Sequence, residues 1–311
     1  MPKLLSKYLQ DKAEPSVGSV ISDIARACES ISEMVALSGL MGLHGEVGSQ
    51  NSAGDQVKVL DEKSNVVCKQ ILANNQHILA LASEEEESIV HTNNPEGELV
   101  VAFDPLDGSA NIDINALVGT IFSVLPALNG DESDFLQTAN KQVAAGYVLY
   151  GSSTVLVFSL GDEVVEFTLN PATSEFLMTR DNIVMPQDTG YIAYNPYVLP
   201  KMPQAKAVAY KALSDDTARS MRWLGAMVGD VHRTLMKGGF FAYPENKKGV
   251  GKLRMQYEAK PLGWLVEVAG GKALTANESV GKYQSKELHE KVAVELGDGG
   301  TMRQYLGYLS D

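Results

Sequence analysis

The chain has 311 residues, of which 44% are hydrophobic and 21% charged, and its formal net charge is −13 at pH 7. This negative charge disfavours binding to nucleic acid or to an anionic membrane, because both require basic surface. No apolar run approaches the roughly 20 residues of a membrane-spanning helix and the first residues do not form a signal peptide, so the sequence predicts a cytoplasmic protein.

Two helices and a loop are predicted at the start of the chain. Apolar residues recur at the spacing of one helix face over 20–37, whereas residues 39–54 include five glycines and predict a loop. Asp61 is placed to be the N-cap of the next helix, and a cap alone would explain this residue. Cys28 and Cys68 lie on apolar helical faces, which favours buried free thiols over a disulfide or a zinc site.

Two apolar runs are followed directly by acidic residues. Residues 78–82 lead into Ser83 and four glutamates, and residues 99–103 lead into Asp104-Pro105-Leu106-Asp107. Apolar runs of this length are typical of strands buried on both faces of a parallel sheet, and Pro105 is expected to end the second strand. If the strands are neighbours, their carboxyl ends bring four carboxylates to one crevice: Glu84, Glu85, Asp104 and Asp107. A run of glutamates is more often a solvated face, and we keep that interpretation for Glu86 and Glu87.

A possible phosphate cradle follows the second strand. Gly108 and Ser109 form a turn before a predicted helix, where free backbone N–H groups can bind an anion. Carboxylates and an anion site within five residues of each other indicate metal-assisted phosphoryl chemistry.

The rest of the chain predicts more strands and a second unit. Four strands are expected over 120–127, 142–150, 153–159 and 163–169, and a second α/β unit starts at 191–194. The length of the whole chain suits two subdomains, which we place at 1–187 and 188–311. Residues 214–237 are predicted to be helical with breaks at Gly225 and Gly229, and residues 267–271 to end a helix. Residues 251–258 alternate as in a strand, which would put the following polar residues on one face: Lys252, Arg254, Gln256 and Glu258. A solvated edge strand is the alternative.

Converging carboxylates must either protonate in part or bind compensating cations. At ~5 Å and an effective dielectric constant of ~20, each ionised pair costs about 3 kcal/mol. Oxygen ligands without histidine or cysteine suit magnesium or manganese, and two or three such ions beside a phosphate could activate a water. The carboxylates that would have to converge are Asp55, Asp61, Glu84, Glu85, Asp104, Asp107 and Glu258.

A P-loop is absent from the sequence, and the central aspartates are three residues apart, unlike the D-x-D of aspartyl-phosphate enzymes.

Six ordered segments of this chain resemble class I fructose-1,6-bisphosphatases, within the superfamily that includes inositol monophosphatase. The resemblance implies an α/β fold of five layers (αβαβα), a homotetramer, and magnesium-dependent hydrolysis of the 1-phosphate of a ketose bisphosphate. It extends from about residue 18 to about residue 271 and rests on residues 54–61, 83–85, 104–111, 143–151, 228–235 and 251–258.

The resemblance also implies roles for individual residues. Metal ligation falls to Asp55, Glu84, Asp104, Asp107, Glu258 and the carbonyl of Leu106. Asp61 and Glu85 would polarise the attacking water. Gly108, Ser109 and Arg254 would hold the 1-phosphate, Lys252 the sugar and its distal phosphate, and the distal end would be lined by Asn195, Tyr243 and Tyr257. Arg222 would reach in from a neighbouring subunit.

Departures from the family pattern fall at the end of the pocket that measures sugar length. Trp223 stands where a tyrosine is usual, and Asn195-Pro196-Tyr197 replaces a longer loop. The substrate is therefore fructose-1,6-bisphosphate, sedoheptulose-1,7-bisphosphate or both. An inositol-monophosphatase-like enzyme and a catalytically silent sugar-phosphate sensor remain alternatives. Glu98 replaces a lysine of the AMP-inhibited enzymes, which predicts weak inhibition by AMP.

Overall fold

The first half of the chain builds an eight-stranded sheet, β10-β9-β8-β7-β6-β5-β3-β4, in the computed structural model, which describes residues 2–50, 56–188 and 190–310. Apart from the parallel pair β3 and β5, its neighbouring strands are antiparallel. A hairpin of β1 and β2 lies apart from this sheet. The elements are α1 (Leu5–Lys12), α2 (Pro15–Ala36), β1 (Glu46–Gln50), β2 (Gln56–Lys58), α3 (Val59–Leu72), β3 (Ile78–Ser83), β4 (Val90–His91), β5 (Leu99–Asp107), β6 (Val118–Pro126), β7 (Ala144–Tyr150), β8 (Thr154–Ser159), β9 (Val164–Asn170) and β10 (Glu175–Arg180).

The second half builds a six-stranded sheet of order β12-β11-β13-β18-β15-β16. Strand β11 is parallel to β12 and β13, and the remaining pairs are antiparallel. A separate short pair joins β14 and β17. The elements are β11 (Tyr191–Ala193), α4 (Gln204–Asp215), β12 (Ser220–Met221), α5 (Met227–Lys237), β13 (Phe240–Tyr243), β14 (Leu253–Arg254), α6 (Lys260–Val268), β15 (Lys272–Thr275), β16 (Glu278–Ser279), β17 (Lys291–Val292), β18 (Val294–Gly297) and α7 (Gly299–Ser310).

Three buried cores show how the layers stack. Helices α1, α2 and α3 pack on one face of the first sheet, against residues such as Phe103 and Phe122. The neighbouring residue Ile121 points to the opposite face, where α5 and α6 fill the space up to Phe241 of the second sheet. Helices α4 and α7 cover the outer face of the second sheet. The predicted five-layer αβαβα arrangement is therefore confirmed.

The two acid-tipped strands are neighbours, as predicted. Strand β3 runs parallel to β5 with Ser83 opposite Phe103, so their carboxyl ends lie at the same sheet edge. The prediction that Pro105 ends the second strand is wrong, because β5 continues to Asp107. Its pairing with β6 shifts between Asp104 and Asp107, and the Thr120 hydroxyl donates to the Pro105 carbonyl. This irregularity accommodates the missing proline N–H.

Several other predicted elements differ from the observed ones. In the region predicted to be helical over 214–237, the predicted break at Gly225 is present, where φ is 80°, but α5 runs through Gly229 without a break, and β12 and loops replace the helix over 216–226. The strand predicted over 251–258 ends at Arg254 and continues as a π-helical turn, Met255–Ala259. The loop predicted over 39–54 contains β1, and β10 was not predicted.

The buried free thiols are confirmed, because both cysteines lie in the first core without a disulfide. No helix in the described part of the chain is long and apolar enough to cross a membrane.

A buried ion pair fastens α4 to the second sheet and provides a test of this packing. The Lys206 ammonium donates to Glu295 of β18 at 2.8 Å, and both side chains are almost fully buried. We expect Lys206→Met to lower the free energy of unfolding by about 3 kcal/mol or more, because a buried carboxylate loses its counter-charge. Replacing Glu295 with leucine as well should recover at least half of that loss. Denaturant unfolding measures both changes.

The matched control is Lys211→Met on the same helix, whose pair with Asp215 is exposed. We expect it to change the free energy of unfolding by less than about 0.5 kcal/mol. Equal losses for the two lysine variants would contradict the importance of the buried pair.

Candidate active site

A cleft of about 430 Å³ collects carboxylates from four separate stretches of the chain. Its acidic residues are Asp61, Glu84, Glu85, Asp104, Asp107 and Glu258, and its basic residues are Lys58, Lys252 and Arg254. The other lining residues are Leu106, Gly108, Ser109, Ala110, Gly225, Met227, Tyr243 and Leu253. The first and second halves of the chain thus both contribute to one cleft.

Backbone pairing fixes the glutamates that follow β3. The Glu84 N–H donates to the Phe103 carbonyl at 3.1 Å, which continues the parallel ladder one residue beyond the strand. The Ser83 hydroxyl donates to Asn65 of α3 and accepts from the Glu85 N–H. Glu84 is buried and Glu85 half-buried, whereas Glu86 pairs with Lys69 outside the cleft, so only the first two glutamates line the cleft.

The end of β5 is held by bonds to its two aspartates. The Leu106 N–H donates to Asp104 Oδ1 at 2.9 Å, and the Val228 N–H at the start of α5 donates to Asp107 Oδ2 at 2.7 Å. Gly108 then turns with φ 80°, and a Cβ there would lie 2.5 Å from the Ala226 Cβ. Glycine is therefore required at this turn, which leads into the 3₁₀ helix that begins at Ser109.

Helical geometry, rather than strand alternation, brings Arg254 and Glu258 together. They lie four residues apart across the π-helical turn, and the backbone N–H of Arg254 donates to Glu258 Oε2 at 2.6 Å. The Arg254 guanidinium also pairs with Glu84 Oε1 at 3.1 Å. Gln256, predicted on the same face, is buried instead and accepts from Lys260. The prediction placed Arg254 and Glu258 correctly but for the wrong structural reason.

Asp61 lies at the third position of α3, not at its N-cap as predicted. Its Oδ2 accepts from the Lys58 N–H at 2.9 Å, whereas Oδ1 is buried and accepts no hydrogen bond from any residue that the structure describes. Burial, together with the nearby Glu85, raises the pKa of Asp61 to about 7. The side chain thus has both a capping role and a free acceptor oxygen.

Burial and mutual repulsion raise the pKa of the clustered carboxyls. The pKa of Asp107 rises to about 7 through burial and the nearby Glu84. The pKa of Glu258 also rises to about 7, through burial and Asp107. The pKa of Asp104 is raised well above its usual range by burial and by Glu84. In the absence of cations, simultaneous ionisation of all these carboxyl groups is therefore unfavourable.

The donor set fits a hard divalent cation. One carboxylate oxygen from each of Glu84, Asp104 and Glu258 lies within 4.8 Å of the others, and all three residues are buried. Oxygen ligands of this kind suit magnesium or manganese. Asp55, predicted as a further ligand, lies outside the described residues.

Five predicted substrate residues do not line the cleft. Asn195 caps a 3₁₀ helix by accepting from the Tyr197 N–H, and Tyr197 is 84% exposed. Tyr257 is fully buried in a separate core and does not line the cleft. Arg222 is exposed, and Trp223 reaches the cleft indirectly by packing against Tyr243 at a ring distance of 5.2 Å.

Five lining residues are not among the predicted site residues: Lys58, Ala110, Gly225, Met227 and Leu253. Lys58 directly precedes α3, and its ammonium pairs with Asp113 at 2.9 Å. Its proximity to Asp61 in sequence could have indicated it. Gly225 and Met227 lie before and at the start of α5.

Divalent cations should stabilise the fold through this cluster. Because the folded-state pKa values of these acids lie above their usual values, the free energy of unfolding of the metal-free protein should fall as pH rises from about 4 to about 7. At about pH 7.5, saturating Mg²⁺ should raise the thermal midpoint by about 5 °C over EDTA. Calorimetry measures the shift.

Glu258→Gln should lose at least half of this magnesium shift, whereas Glu287→Gln, on the exposed surface, should keep it. A wild-type midpoint that does not respond to Mg²⁺ would contradict the metal assignment.

Comparisons with known proteins agree with this geometry. Two family models match the chain, described as fructose-1-6-bisphosphatase, N-terminal domain, over residues 5–181, and C-terminal domain, over residues 185–309. The class 1 fructose-1,6-bisphosphatase of Shewanella amazonensis is 43% identical over 319 residues, covering 99% of each chain, and that of Saccharophagus degradans is 42% identical over 325 residues, covering 100% of each. The holo crystal structure of Leishmania major fructose-1,6-bisphosphatase superposes with a TM-score of 0.95 at 31% identity, covering 100% of both chains. The chain therefore belongs to the class 1 fructose-1,6-bisphosphatase family.

Proposed function

We propose that this protein is a magnesium-dependent sugar bisphosphatase that hydrolyses the 1-phosphate of fructose-1,6-bisphosphate, sedoheptulose-1,7-bisphosphate or both. As a member of this family it is a phosphoric monoester hydrolase. The observation that carries the proposal is the cleft itself, where buried carboxylates lie beside the Gly108–Ser109 turn and the basic side chains of Lys252 and Arg254.

The acidic side of the cleft supplies most of the proposed metal ligands: Glu84, Asp104, Asp107, Glu258 and the carbonyl of Leu106. Asp55, which lies outside the described residues, is the further proposed ligand, and the set would hold two or three Mg²⁺ ions, or Mn²⁺. When bound, such ions neutralise the phosphate, activate a water and stabilise the leaving alkoxide. The support is the convergence of Glu84, Asp104 and Glu258 and the oxygen-only donor set.

We assign the proton from the attacking water to Asp61 and Glu85. Asp61 has a carboxylate oxygen that no described residue donates to, and its pKa of about 7 suits proton transfer near neutral pH. The Lys58 N–H fixes the other oxygen, which orients the carboxyl group. Glu85 lines the same cleft and raises the proton affinity of Asp61 by repulsion.

The basic and glycine-rich residues are assigned to the substrate. The backbone of Gly108 and Ser109 and the Arg254 guanidinium would bind the 1-phosphate. Lys252, an exposed residue whose ammonium lies 5.7 Å from the Tyr243 ring, would bind the sugar and its distal phosphate. A second cationic position argues against an inositol-monophosphatase-like substrate, which has one phosphate. The full set of acids argues against a catalytically silent sensor.

The aromatic side of the cleft bears on sugar length. The Trp223 ring stacks on Phe241 at 6.2 Å with an angle of 11° and also packs against Tyr243. An indole there cannot offer a phenol hydroxyl to a distal phosphate, which supports a role for the seven-carbon sugar as a second substrate. The names of the relatives support the six-carbon sugar.

We further propose two subdomains, residues 1–187 and 188–311, and a homotetramer in which Arg222 reaches a neighbouring active site. The exposure of Arg222 outside its own cleft supports this arrangement.

Loss of the proton acceptor tests the proposed chemistry. With Mg²⁺, the wild type should release phosphate from both bisphosphates, and EDTA should stop the release. Asp61→Asn should lower kcat by a factor on the order of 10²–10⁴, because the amide cannot take a proton. Its thermal shift with Mg²⁺ should persist. A variant with wild-type kcat would remove Asp61 from the reaction.

Replacement of the indole tests the assignment of sugar length. Trp223→Tyr should shift the ratio of kcat/KM toward fructose-1,6-bisphosphate by about tenfold, because the new hydroxyl can donate to the distal phosphate of the shorter sugar. Trp264→Tyr, at the other tryptophan, is the control and should leave the ratio unchanged. An unaltered ratio in Trp223→Tyr would show that sugar length is measured elsewhere.

A further inference from the structure

The segment Arg222–Gly225 lies between β12 and α5, has no regular secondary structure and contributes to the cleft wall. It turns at Gly225, whose φ of 80° lies in the left-handed region. Such a segment has no ladder of its own, so its conformation must be fixed by other contacts. Two side chains of α5 supply several of these contacts, in addition to the bond from the Arg222 N–H to the Ile192 carbonyl at 2.8 Å and the bond from the Asn111 amide to the Leu224 carbonyl at 3.5 Å.

The Asp230 carboxylate binds the segment from behind. It accepts from the Leu224 N–H at 3.1 Å with either oxygen, and from the Gly225 N–H at 3.0 Å with Oδ2. Its side chain is fully buried. Two consecutive backbone amides are thereby satisfied by one side chain that does not line the cleft.

Arg233 completes this arrangement. Its Nη2 donates to Asp230 Oδ1 at 2.5 Å and to the Arg222 carbonyl at 2.5 Å. The two side chains thus hold the segment at both of its ends, at Arg222 and at Gly225, and leave Trp223 between the two points. A guanidinium can make both bonds at once because its donors point along fixed directions.

The held segment carries the residues that shape the aromatic side of the cleft. Trp223 packs against Phe241 and Tyr243, and Tyr243 in turn lies beneath the Lys252 ammonium. Tyr243 and Lys252 line the cleft directly. Any movement of the Arg222–Gly225 backbone would therefore displace Trp223 and change the surroundings of these two side chains.

We propose that Asp230 and Arg233 are positioning residues that hold the Arg222–Gly225 segment and thereby set the surface that receives the substrate beyond its scissile phosphate. This role rests on the proposed bisphosphatase function. The hydrogen bond that fixes Asp107 does not involve the Asp230 side chain, because the Val228 N–H that donates it belongs to the backbone of α5, although the Asp230 charge also raises the pKa of Asp107. The two residues should accordingly affect substrate binding rather than the chemical step.

The test compares Asp230→Asn with wild type on two substrates. Asparagine keeps the size of the side chain but cannot accept equally with both ends. We expect KM for the preferred bisphosphate to rise by about tenfold and kcat to stay within about threefold. Hydrolysis of p-nitrophenyl phosphate, which lacks the sugar and the second phosphate, should stay within about twofold. Arg233→Met should act in the same direction with Asp230 intact.

Fluorescence provides a readout that does not depend on activity. The chain has two tryptophans, so Trp264→Phe leaves Trp223 as the single reporter. In that background, Asp230→Asn should raise the acrylamide quenching constant of Trp223 by about twofold, because the loosened segment exposes the indole.

Asp134→Asn is the matched control. Asp134 is also a fully buried aspartate that accepts from two consecutive loop amides, those of Asn129 and Gly130 at 2.9 Å, but it does not line the cleft. It should lower stability without changing KM or Trp223 quenching.

Three results would overturn the inference. Wild-type KM and quenching in both α5 variants would show that the segment is held without these side chains. Equal losses on both substrates, with quenching unchanged, would show a purely structural role. A wild type that hydrolyses no bisphosphate would overturn the proposed function and the recognition role with it, while quenching would still decide whether Asp230 fixes Trp223.

Discussion

Repulsion among buried carboxylates is the constraint on which this structure depends. Glu84, Asp104, Asp107 and Glu258 are held in one cleft by backbone hydrogen bonds and the sheet edge, although burial and the charges of Glu84, Asp107 and Glu258 raise the pKa of other members of the cluster. Folding alone gains nothing from this arrangement, since unpaired buried charge is costly. Protonation lowers this cost at acidic pH, whereas near neutral pH divalent cations in the cleft would offset it, which fits a metal-binding role for the cluster.

The two halves of the chain supply different residues to the cleft. The first sheet supplies most of the acids from the carboxyl ends of β3 and β5, where open α/β sheets bind ligands. The second half supplies Lys252, Arg254 and the aromatic wall around Tyr243, and returns one acid, Glu258, across the interface. Arg254 pairs with Glu84 of the other half, which links the cationic and anionic sides. The proposed proton acceptors Asp61 and Glu85 therefore lie in the first half, whereas the proposed sugar-binding residue Lys252 lies in the second.

Local sequence predicted the parts of this fold that depend on local chemistry. The apolar runs before Glu84 and Asp104 identified two adjacent strands, and the Gly108–Ser109 turn was recognisable because its backbone conformation requires glycine. Periodicity failed where tertiary contacts override it: β5 passes through Pro105 by shifting its register against β6, and Arg254 and Glu258 meet across a π-helical turn that imitates strand alternation. Lys58 and the Asp230–Arg233 pair were missed, because contacts made across the fold leave no local pattern.

The central claim is that the clustered acids of one cleft bind divalent ions for phosphate chemistry. A crystal grown with Mn²⁺, with data collected at the manganese absorption edge, tests it most directly, because anomalous scattering locates the ions independently of activity. We expect anomalous peaks that mark ions coordinated by carboxylate oxygens of Glu84, Asp104 and Glu258. A well-ordered cleft with no peak among these residues at saturating Mn²⁺ would contradict it.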